Sequence, residues 1–538
     1  MPTHVEDVGK PHSAQVVEDK DEEQQVTVDA KDALDGALRA TDEEHRMTLM
    51  EGLRKYPSAA WWSAWFSMTL VMQGFDHAFI FGFIAFPAFE QKYGRLNPSG
   101  QYEIPAELQA GITNGVAAGE IVGLVLNAYA TEYFGNRKVM IVSLVALMGF
   151  VFLQFFAQDI YMYLGAEILL GIPWGVFQTL TTTYAAEICP GVLRPYLTMF
   201  VPGCWSIGYL IGTGVIRGFV NVTGEWAYRI PFALQWIPPI PIIIAVYFAP
   251  ESPWWLVRKG RIQEATKMVR RLRAKDATED DISDTIAMMQ HTTETEQQVE
   301  KRSFWELFKG VNLRRTEIAF WVYTTQQLCA MLLSYIVYFL QQAGLPTSTS
   351  FEFAMGQYAM GTVGTVVAWF LVPRWGRRTF LLTGISFMSA TTLVIGFIGL
   401  GDTNHHPALA NAVGSILMIQ YFVFFATLAP ITYTIVTEIP STYLRTKTVA
   451  LGRVGYNAVT FVYGQLLPRM IQKTSWNWGA RCGLFFGGIM ALCFVWAFFR
   501  VPETKGRTFA EINILFHNKV KARKFSKTQV NIASGSVI

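Results

Sequence analysis

The sequence is short of charge and of cysteine, and each shortage argues against a class of protein. Only 16% of its 538 residues are charged, whereas an ordinary soluble domain carries about 25%. Its five cysteines include no CxxC pair, which argues against a disulfide-stapled scaffold and against a zinc site. The net charge of +3 provides no overall basic field, so we expect no nucleic-acid partner.

The sequence also lacks the motifs of common catalytic chemistries. It contains no phosphate-binding glycine loop with its lysine, no HExxH zinc motif and no GxSxG nucleophile elbow. Its eight histidines show no metal-ligand spacing. We therefore predict a protein that is not an enzyme, with no catalytic residues, no metal site and no cofactor.

Long apolar runs occupy most of the chain. Hydrophobic residues make up 51% of it, and runs of this length can cross a hydrocarbon core of roughly 30 Å as helices. We predict an all-α membrane protein in which twelve transmembrane helices form two pseudo-symmetric six-helix bundles. The predicted spans are about 61–88, 109–131, 138–157, 161–186, 196–220, 231–249, 317–340, 352–372, 379–400, 407–436, 447–468 and 481–499.

The chain divides into five predicted segments. Residues 1–58 are polar and are expected to be disordered. In the one long loop, Ile262–Leu272 has amphipathic helical spacing and is expected to lie along the inner face of the membrane. The segments are a cytoplasmic N-terminal tail (1–58), a first six-helix bundle (59–250), a cytoplasmic linker with amphipathic helices (251–316), a second six-helix bundle (317–500) and a cytoplasmic C-terminal tail (501–538).

Lysine and arginine are distributed unevenly between the loops. About 21 of them follow even-numbered spans, whereas about 7 follow odd-numbered spans. The positive-inside rule assigns the richer loops to the cytoplasm. With an even number of spans, both termini are then predicted to be cytoplasmic as well.

Three short motifs recur in the same order in the two halves of the chain, displaced by 251, 252 and 241 positions. Such a duplication predicts two homologous bundles that rock around a central cavity between them. The matched pairs are Glu187-Ile188 with Leu193-Arg194 against Glu438-Ile439 with Leu444-Arg445, Pro250-Glu251-Ser252 against Pro502-Glu503-Thr504, and Gly135-Asn136-Arg137-Lys138 against Gly376-Arg377-Arg378.

The charges of these repeats lie at the predicted cytoplasmic ends of the spans. The positive-inside rule accounts for the basic residues alone, but acidic residues contribute little to topology. We therefore predict a cytoplasmic gate in which arginines and glutamates of the two halves pair when the inner side is shut. The predicted gate residues are Arg137, Glu187, Arg194, Glu251, Arg377, Arg378, Glu438, Arg445 and Glu503.

Together with Gly74-Phe75-Asp76 in the first span and Gln326-Gln327 in the seventh, these motifs resemble the sugar-porter branch of the major facilitator superfamily. The resemblance covers nearly all of residues 60–510. Within that branch, Gly171–Thr179 (GIPWGVFQT) and Leu451–Asn457 (LGRVGYN) resemble the fungal α-glucoside, maltose-permease-like proteins. The resemblance implies proton-coupled import of an α-linked di- or trisaccharide. The expected partners are thus a small sugar, protons and the lipid bilayer of the plasma membrane, and we expect a monomer.

Four ionisable residues lie inside predicted spans, where a charge at the bilayer centre costs at least about 2.5 kcal/mol. An acid that meets an arginine in only one conformation would bind and release a proton as the halves rock. A static buried salt bridge is the alternative. His77 lies on a different helix face from Asp76, and we expect only a structural role for it. The predicted proton-coupling residues are Asp76, Glu120, Glu167 and Arg453.

Amides and aromatic rings inside the spans are candidates for sugar recognition, because amides can bind pairs of hydroxyl groups and rings can pack on sugar C–H faces. Polar residues of this kind also hold helices together, at roughly 0.6 kcal/mol each. The pair Gln326-Gln327 matches the sugar-contacting motif of the family. The predicted substrate-binding residues are Trp174, Gln178, Trp205, Gln326, Gln327, Tyr335, Gln420, Tyr433 and Asn457. Glycines four residues apart, such as Gly171/Gly175 and Gly208/Gly212, are expected to let helices pack closely.

Three alternatives stay open at this point. A passive uniporter would share the fold but would not need Asp76 and Glu120 inside the membrane. A non-transporting sugar sensor would be expected to carry a long cytoplasmic tail. A symporter of the same fold could instead carry cellobiose, lactose or a hexose.

Overall fold

The computed structural model describes residues 36, 39–40, 43, 46–97, 100–190, 192–274, 276–300, 304–372, 374–401, 407–441, 444–505, 507, 509–531 and 536–537. The chain forms two compact units. The smaller unit comprises residues 1–59, 187–192 and 250–301, and the larger unit comprises residues 60–186, 193–249 and 302–538.

Helices cover all twelve predicted spans. The first half contains α1 (Leu49–Lys55), α2 (Pro57–Phe83), α3 (Pro87–Tyr93), the hairpin β1 (Arg95–Leu96) and β2 (Tyr102–Glu103), α4 (Ala106–Phe134), α5 (Asn136–Phe155), α6 (Ile160–Ile188), α7 (Arg194–Phe219), α8 (Trp226–Leu234) and α9 (Pro239–Phe248). The linker contains α10 (Pro253–Arg258), α11 (Ile262–Leu272) and α12 (Glu279–Glu300).

The second half repeats the arrangement of long helices. It contains α13 (Gly310–Ser334), α14 (Ile336–Gln342), α15 (Thr347–Leu371), α16 (Arg377–Ile398), α17 (Pro407–Val423), α18 (Ala429–Glu438), α19 (Arg445–Ile471) and α20 (Cys482–Arg500). A π-helical turn, Phe424–Leu428, joins α17 to α18. The C-terminal segment contains α21 (Phe509–His517) and the strands β3 (Val530–Asn531) and β4 (Ser536–Val537), which pair antiparallel.

Among the described residues, seven helices are long and apolar enough to cross a membrane, and the bent pair α2–α3 would be an eighth. The predicted spans outside that set are α7, α13, α15 and α19. Of the polar groups within these spans, Gln326 and Gln327 belong to α13 and Arg453 belongs to α19. All three of these side chains face the interior of the protein rather than lipid, as expected for costly polar groups in a membrane.

Glycines bring the helices of the first half into direct backbone contact. A Cβ added at Gly208 in α7 would lie 2.1 Å from the carbonyl oxygen of Val71 in α2. A Cβ at Gly175 in α6 would lie 2.1 Å from the carbonyl oxygen of Glu120 in α4. The glycine pairs predicted as packing devices therefore fix the positions of the helices that carry the central polar residues.

Gly208→Ala is expected to destabilise the protein by roughly 1–3 kcal/mol, because the added methyl group would overpack a backbone contact. Gly218→Ala in the same helix is the matched control, since no heavy atom lies within 4 Å of its added Cβ. The thermal stability of the two detergent-solubilised variants can be compared by size-exclusion chromatography after heating. Equal stability of the two variants would contradict the close contact.

The smaller unit has its own apolar core. Ala265 and Val269 of α11 are buried together with Trp255 of α10 and with Ile282 and Ile286 of α12. The apolar face of α11 is therefore covered by α10 and α12, and a position of this helix along the inner face of the membrane stays a prediction. Amphipathic spacing indicates only that one face is buried, and it does not identify what covers that face.

The end of the N-terminal segment also belongs to this unit. The helix α1 begins with a capping box in which Thr48 and Glu51 exchange hydrogen bonds, and these bonds lower the pKa of Glu51. The Arg273 side chain donates to the Tyr56 hydroxyl at 2.8 Å, and Arg39 pairs with Asp284 at 2.9 Å. The prediction of disorder over residues 1–58 is thus wrong for this described part, and most of residues 1–45 lie outside the described residues.

Candidate functional site

A central cavity of about 180 Å³ lies within the larger unit. Side chains from both halves line it: α2, α4, α6 and α7 contribute from the first half, and α13, α18 and α19 from the second, with the π-helical turn and Tyr421 near the end of α17. Its polar and charged lining residues include Gln73, His77, Thr113, Glu120, Gln178, Gln326, Gln327, Ser334, Arg453 and Thr460. A wall with this many hydrogen-bonding groups suits a polar, uncharged or weakly charged ligand.

Five of the nine predicted substrate-binding residues lie on the cavity wall: Gln178, Trp205, Gln326, Gln327 and Tyr433. The amide of Gln327 donates to the Thr460 hydroxyl at 2.8 Å. The side-chain oxygen of Gln326 is buried and has no hydrogen-bond partner among the described residues. Paired amides and two aromatic rings therefore face one cavity from opposite halves.

The other four predicted substrate-binding residues lie away from the cavity wall. The indole of Trp174 donates to Asp76 at 2.8 Å, and the hydroxyl of Tyr335 lies 2.9 Å from that of Thr113. The amide of Gln420 donates to the hydroxyls of Thr391 and Thr392, and Asn457 is buried outside the cavity lining. Trp174, Tyr335 and Gln420 thus contact neighbouring helices in this conformation, and a role of these four residues in sugar binding stays a prediction.

Glu120 is at the centre of the polar cluster on the first-half side of the cavity. One oxygen of its carboxylate, Oε1, accepts hydrogen bonds from the amides of Gln73 at 2.8 Å and Gln178 at 2.9 Å. The indole of Trp205 donates to the other end of the Gln73 amide at 2.9 Å, which fixes the orientation of that amide. Side chains that are candidates for sugar binding thus contact Glu120, a candidate proton carrier, directly.

His77 belongs to the same cluster, contrary to the expectation from the sequence. Its Nε2 lies 3.4 Å from Oε1 of Glu120, and its Nδ1 lies 2.9 Å from the backbone carbonyl oxygen of Gln73. The two side chains Gln73 and His77 are four residues apart and therefore share a helix face. His77 does face away from Asp76, as expected, but the face it occupies is the one that lines the cavity.

Asp76 and Glu167 lie outside the cavity, in a buried network within the first half. Asp76 accepts hydrogen bonds from Trp174 and from the Gln235 amide, the latter at 3.0 Å. Gln235 donates to Gln154 at 3.1 Å, and Gln154 donates to Glu167 at 2.8 Å. The two carboxyl groups are fully buried, and these amides connect them.

Arg453 lies on the second-half side of the cavity and is surrounded by tyrosines. Its guanidinium donates to the Tyr433 hydroxyl at 3.0 Å. It also lies over the rings of Tyr323, Tyr433 and Tyr456 at 5.1, 5.4 and 5.2 Å from their centroids. Cation–π contacts of this kind stabilise a desolvated cation by about 2 kcal/mol each or more. The described polar contacts of Arg453 are thus with tyrosines in this conformation, and its pairing with a carboxylate in another conformation stays a prediction.

The predicted gate charges of the second half pair with each other. Arg377 contacts Glu438 at 3.2 Å, and Thr504 also donates to Glu438. The carboxylate of Glu503 accepts from the backbone N–H groups of Arg377 and Arg378 at 2.7 and 3.2 Å, at the start of α16. Such an anion at a helix N-terminus is electrostatically favourable.

The predicted gate charges of the first half likewise find partners close by. Arg137 donates to the backbone carbonyl of Tyr247. In the smaller unit, Glu187 pairs with Arg258 at 2.6 Å, and Glu251 accepts from the backbone N–H of Ser252. The side chains of Arg194 and Arg445 lie outside the described residues. A gate that joins the two halves therefore stays a prediction.

Comparison with known proteins relates most of the chain to transporters. The family model "Sugar (and other) transporter" matches residues 62–516. The general alpha-glucoside permease of Saccharomyces cerevisiae is 40% identical over 520 residues, which cover 95% of this chain and 84% of the permease. The maltose permease MAL31 of Saccharomyces cerevisiae is 40% identical over 508 residues, which cover 93% of this chain and 82% of that permease.

Solved structures agree on the fold. The proton:xylose symporter XylE bound to 6-bromo-6-deoxy-D-glucose superposes with a TM-score of 0.69 at 19% identity, covering 85% of this chain and 98% of XylE. A partially occluded inward-open form of the xylose transporter XylE from E. coli gives a TM-score of 0.67 at 17% identity, covering 83% and 98%. This likeness confirms the predicted fold of twelve helices in two six-helix bundles.

Proposed function

This chain belongs to the sugar transporter family, and we propose that it imports an α-glucoside together with protons by alternating access to its central cavity. It is a sugar transporter and not an enzyme. The observation that carries the proposal is the contact between Glu120 and the amides of Gln73 and Gln178. Through this contact, a titratable group and sugar-binding groups can influence each other directly. We further propose a plasma-membrane location with both termini in the cytoplasm, as the positions of basic residues favour.

Recognition of the sugar is assigned to the amides and rings on the cavity wall. Gln326 and Gln327 face the cavity from α13, and Gln178 faces it from α6. The unpartnered oxygen of Gln326 can accept a hydrogen bond from a sugar hydroxyl without breaking an existing contact. Trp205 and Tyr433 provide aromatic surface on either side. The α-glucoside preference rests on the yeast permeases that share about two-fifths of the sequence.

Coupling between sugar and proton is assigned to a competition for the glutamine amides. A hydrogen bond to a carboxylate is stronger than one to a neutral carboxyl group. Protonation of Glu120 therefore weakens its hold on Gln73 and Gln178, whose amides then become free for sugar hydroxyls. By thermodynamic linkage, a bound sugar that occupies these amides favours the protonated form of Glu120 to the same extent.

His77 is proposed as the partner that shares the transported proton with Glu120. Because its Nδ1 faces the Gln73 carbonyl oxygen at 2.9 Å, that nitrogen is assigned the hydrogen. Its Nε2 then faces the carboxylate at 3.4 Å and can either hold a proton or accept one. One proton can thus be held between two side chains that both face the cavity.

Asp76 and Glu167 are proposed to form a second, sealed protonation site. Two like charges in so apolar a setting repel each other, and the amides of Gln235 and Gln154 carry no charge to offset them. A proton retained in this network would relieve the repulsion. Because Asp76 precedes His77 in α2, a change of charge in the network would act on the helix that carries the cavity cluster.

Arg453 and the gate charges complete the proposed cycle. The surrounding tyrosine rings stabilise the charged guanidinium of Arg453 on the second-half side of the cavity. An acid of the first half can then pair with it when the halves approach each other. The predicted gate residues at the cytoplasmic ends are proposed to exchange their present partners for partners in the other half when the inner side shuts.

Uptake by a yeast strain that grows only on hexoses tests the choice of substrate. Cells that express this chain are expected to take up maltose, and faster at external pH 5 than at pH 7, because each pH unit adds about 1.4 kcal/mol per proton to the inward driving force. Glucose, cellobiose and lactose serve as comparison sugars, and cells with an empty vector are the control. Uptake of cellobiose or lactose without maltose would contradict the proposed specificity, and surface expression without uptake of any sugar would support a sensor.

A further inference from the structure

The short helix α14 of the second half is held against the first half by hydrogen bonds at the predicted outer end. The hydroxyl of Tyr338 and the amide of Gln342 both donate to Oε1 of Glu103, at 2.9 and 3.1 Å. The amide of Gln341 donates to the backbone carbonyl oxygen of Ala85 at 2.8 Å. Three side chains of one seven-residue helix therefore reach across the boundary between the halves.

The hairpin β1–β2 determines where the Glu103 carboxylate lies. Glu103 pairs with Arg95 in the antiparallel register, and the turn is closed by a hydrogen bond from the Gln101 N–H to the Asn97 side chain at 2.9 Å. Glu103 is 8% exposed and Tyr338 is 1% exposed. The hairpin thus places the Glu103 carboxylate in a contact that is almost fully buried.

Burial distinguishes this contact from a second polar contact between the halves. Arg217 of α7 pairs with Glu352 of α15 at 2.8 Å, but the two side chains are 30% and 58% exposed. An exposed ion pair of this kind contributes little, because water solvates both partners when they separate. The buried Glu103 bonds are strengthened by their low-dielectric surroundings and by the charge of the acceptor.

We infer that Glu103 is a latch residue that keeps the central cavity closed to the outside. The inference rests on the proposed alternating access, in which the outer contacts between the halves must separate before sugar can enter. Loss of the Glu103 bonds therefore favours the outward-open conformation over the present one. Glu103 is a positioning residue in this cycle, because it lies outside the cavity lining and does not touch the sugar site.

The test measures how readily the cavity is reached from outside. All five native cysteines are buried, so a single reporter, Ala330→Cys on the cavity wall, can be labelled in intact cells with a membrane-impermeant maleimide. Glu103→Ala is expected to raise the labelling rate of the reporter by about fivefold or more, as for other conformational couplings. Tyr338→Phe removes one of the two donors with little change of shape and is expected to give a smaller increase. Glu103→Ala combined with Tyr338→Phe should label no faster than Glu103→Ala alone, because both changes remove the same bond.

Glu107→Ala is the matched control, because Glu107 lies four residues further along the chain with an exposed side chain. It should label at the rate of the reporter alone. Equal labelling of the reporter in Tyr338→Phe, Glu103→Ala and Glu107→Ala would overturn the inference, and Tyr338→Phe decides the matter if Glu103→Ala does not reach the surface. The assay uses neither sugar nor a proton gradient, so its outcome is independent of whether the proposed α-glucoside:proton symport holds.

Discussion

Glu120→Gln is expected to abolish accumulation of sugar against a gradient while downhill exchange of sugar continues. The glutamine can still receive hydrogen bonds from Gln73 and Gln178 but cannot take up a proton, so the link between sugar and proton is lost. Each pH unit supplies about 1.4 kcal/mol per proton, which corresponds to a tenfold accumulation. With an inward gradient of one unit, one proton per sugar and the membrane potential collapsed, the accumulation ratio should fall from about ten to about one.

The experiment compares two readouts in the same cells. Accumulation of labelled maltose reports coupling, and exchange of labelled for unlabelled maltose reports movement of the cavity between the two sides. Glu107→Gln, which changes an exposed carboxylate outside the cavity, is the control and should behave as the parent does. Full accumulation by Glu120→Gln would show that the Glu120 carboxylate is not needed for proton coupling.

Gln326→Ala is expected to raise the KM for the sugar by roughly three- to tenfold, with a smaller effect on the maximal rate. Its amide oxygen is buried, unpartnered among the described residues and on the cavity wall, so we expect it to accept a sugar hydroxyl. A lost hydrogen bond of this kind costs about 0.5–1.5 kcal/mol. Initial uptake rates over a range of maltose concentrations give both constants.

Gln420→Ala provides the comparison within the same half of the molecule. Gln420 is also a buried amide inside a span, but it donates to Thr391 and Thr392 and lies off the cavity wall. Its removal should lower the stability of the protein and leave the KM unchanged. A KM that rises for Gln420→Ala but not for Gln326→Ala would contradict the placement of the sugar site.

The fold could be predicted from the sequence because two independent signals, the apolar runs and the internal repeat, indicate the same architecture. Apolar runs of the right length mark the spans, and the repeat of Glu187–Arg194 at Glu438–Arg445 marks the two halves. The sequence predicts the packing of segments outside the membrane less well. The helix α11 buries its apolar face on α10 and α12, a contact that its own amphipathic pattern does not identify.

The site could be predicted only in part, because a transmembrane helix in a bundle is apolar on nearly every face. Periodicity then fails to distinguish a side chain that faces the cavity from one that faces a neighbouring helix. Gln326 and Gln327 are on the wall, whereas Gln420 and Asn457, chosen by the same reasoning, are not. In α2 the sequence does carry a signal: Gln73 and His77 are polar, lie four residues apart on one helix face, and both line the cavity, whereas Asp76 does not.

The most direct test of the account is the simultaneous measurement of proton and sugar movement. Maltose is added to de-energised cells that express this chain, in a weakly buffered medium whose pH is recorded while labelled sugar uptake is followed. The account predicts that the medium becomes more alkaline at once, in proportion to the maltose taken up, and that Glu120→Gln cells show no such change. Uptake of maltose by the parent protein with no accompanying change in pH would contradict proton coupling and would make the protein a uniporter.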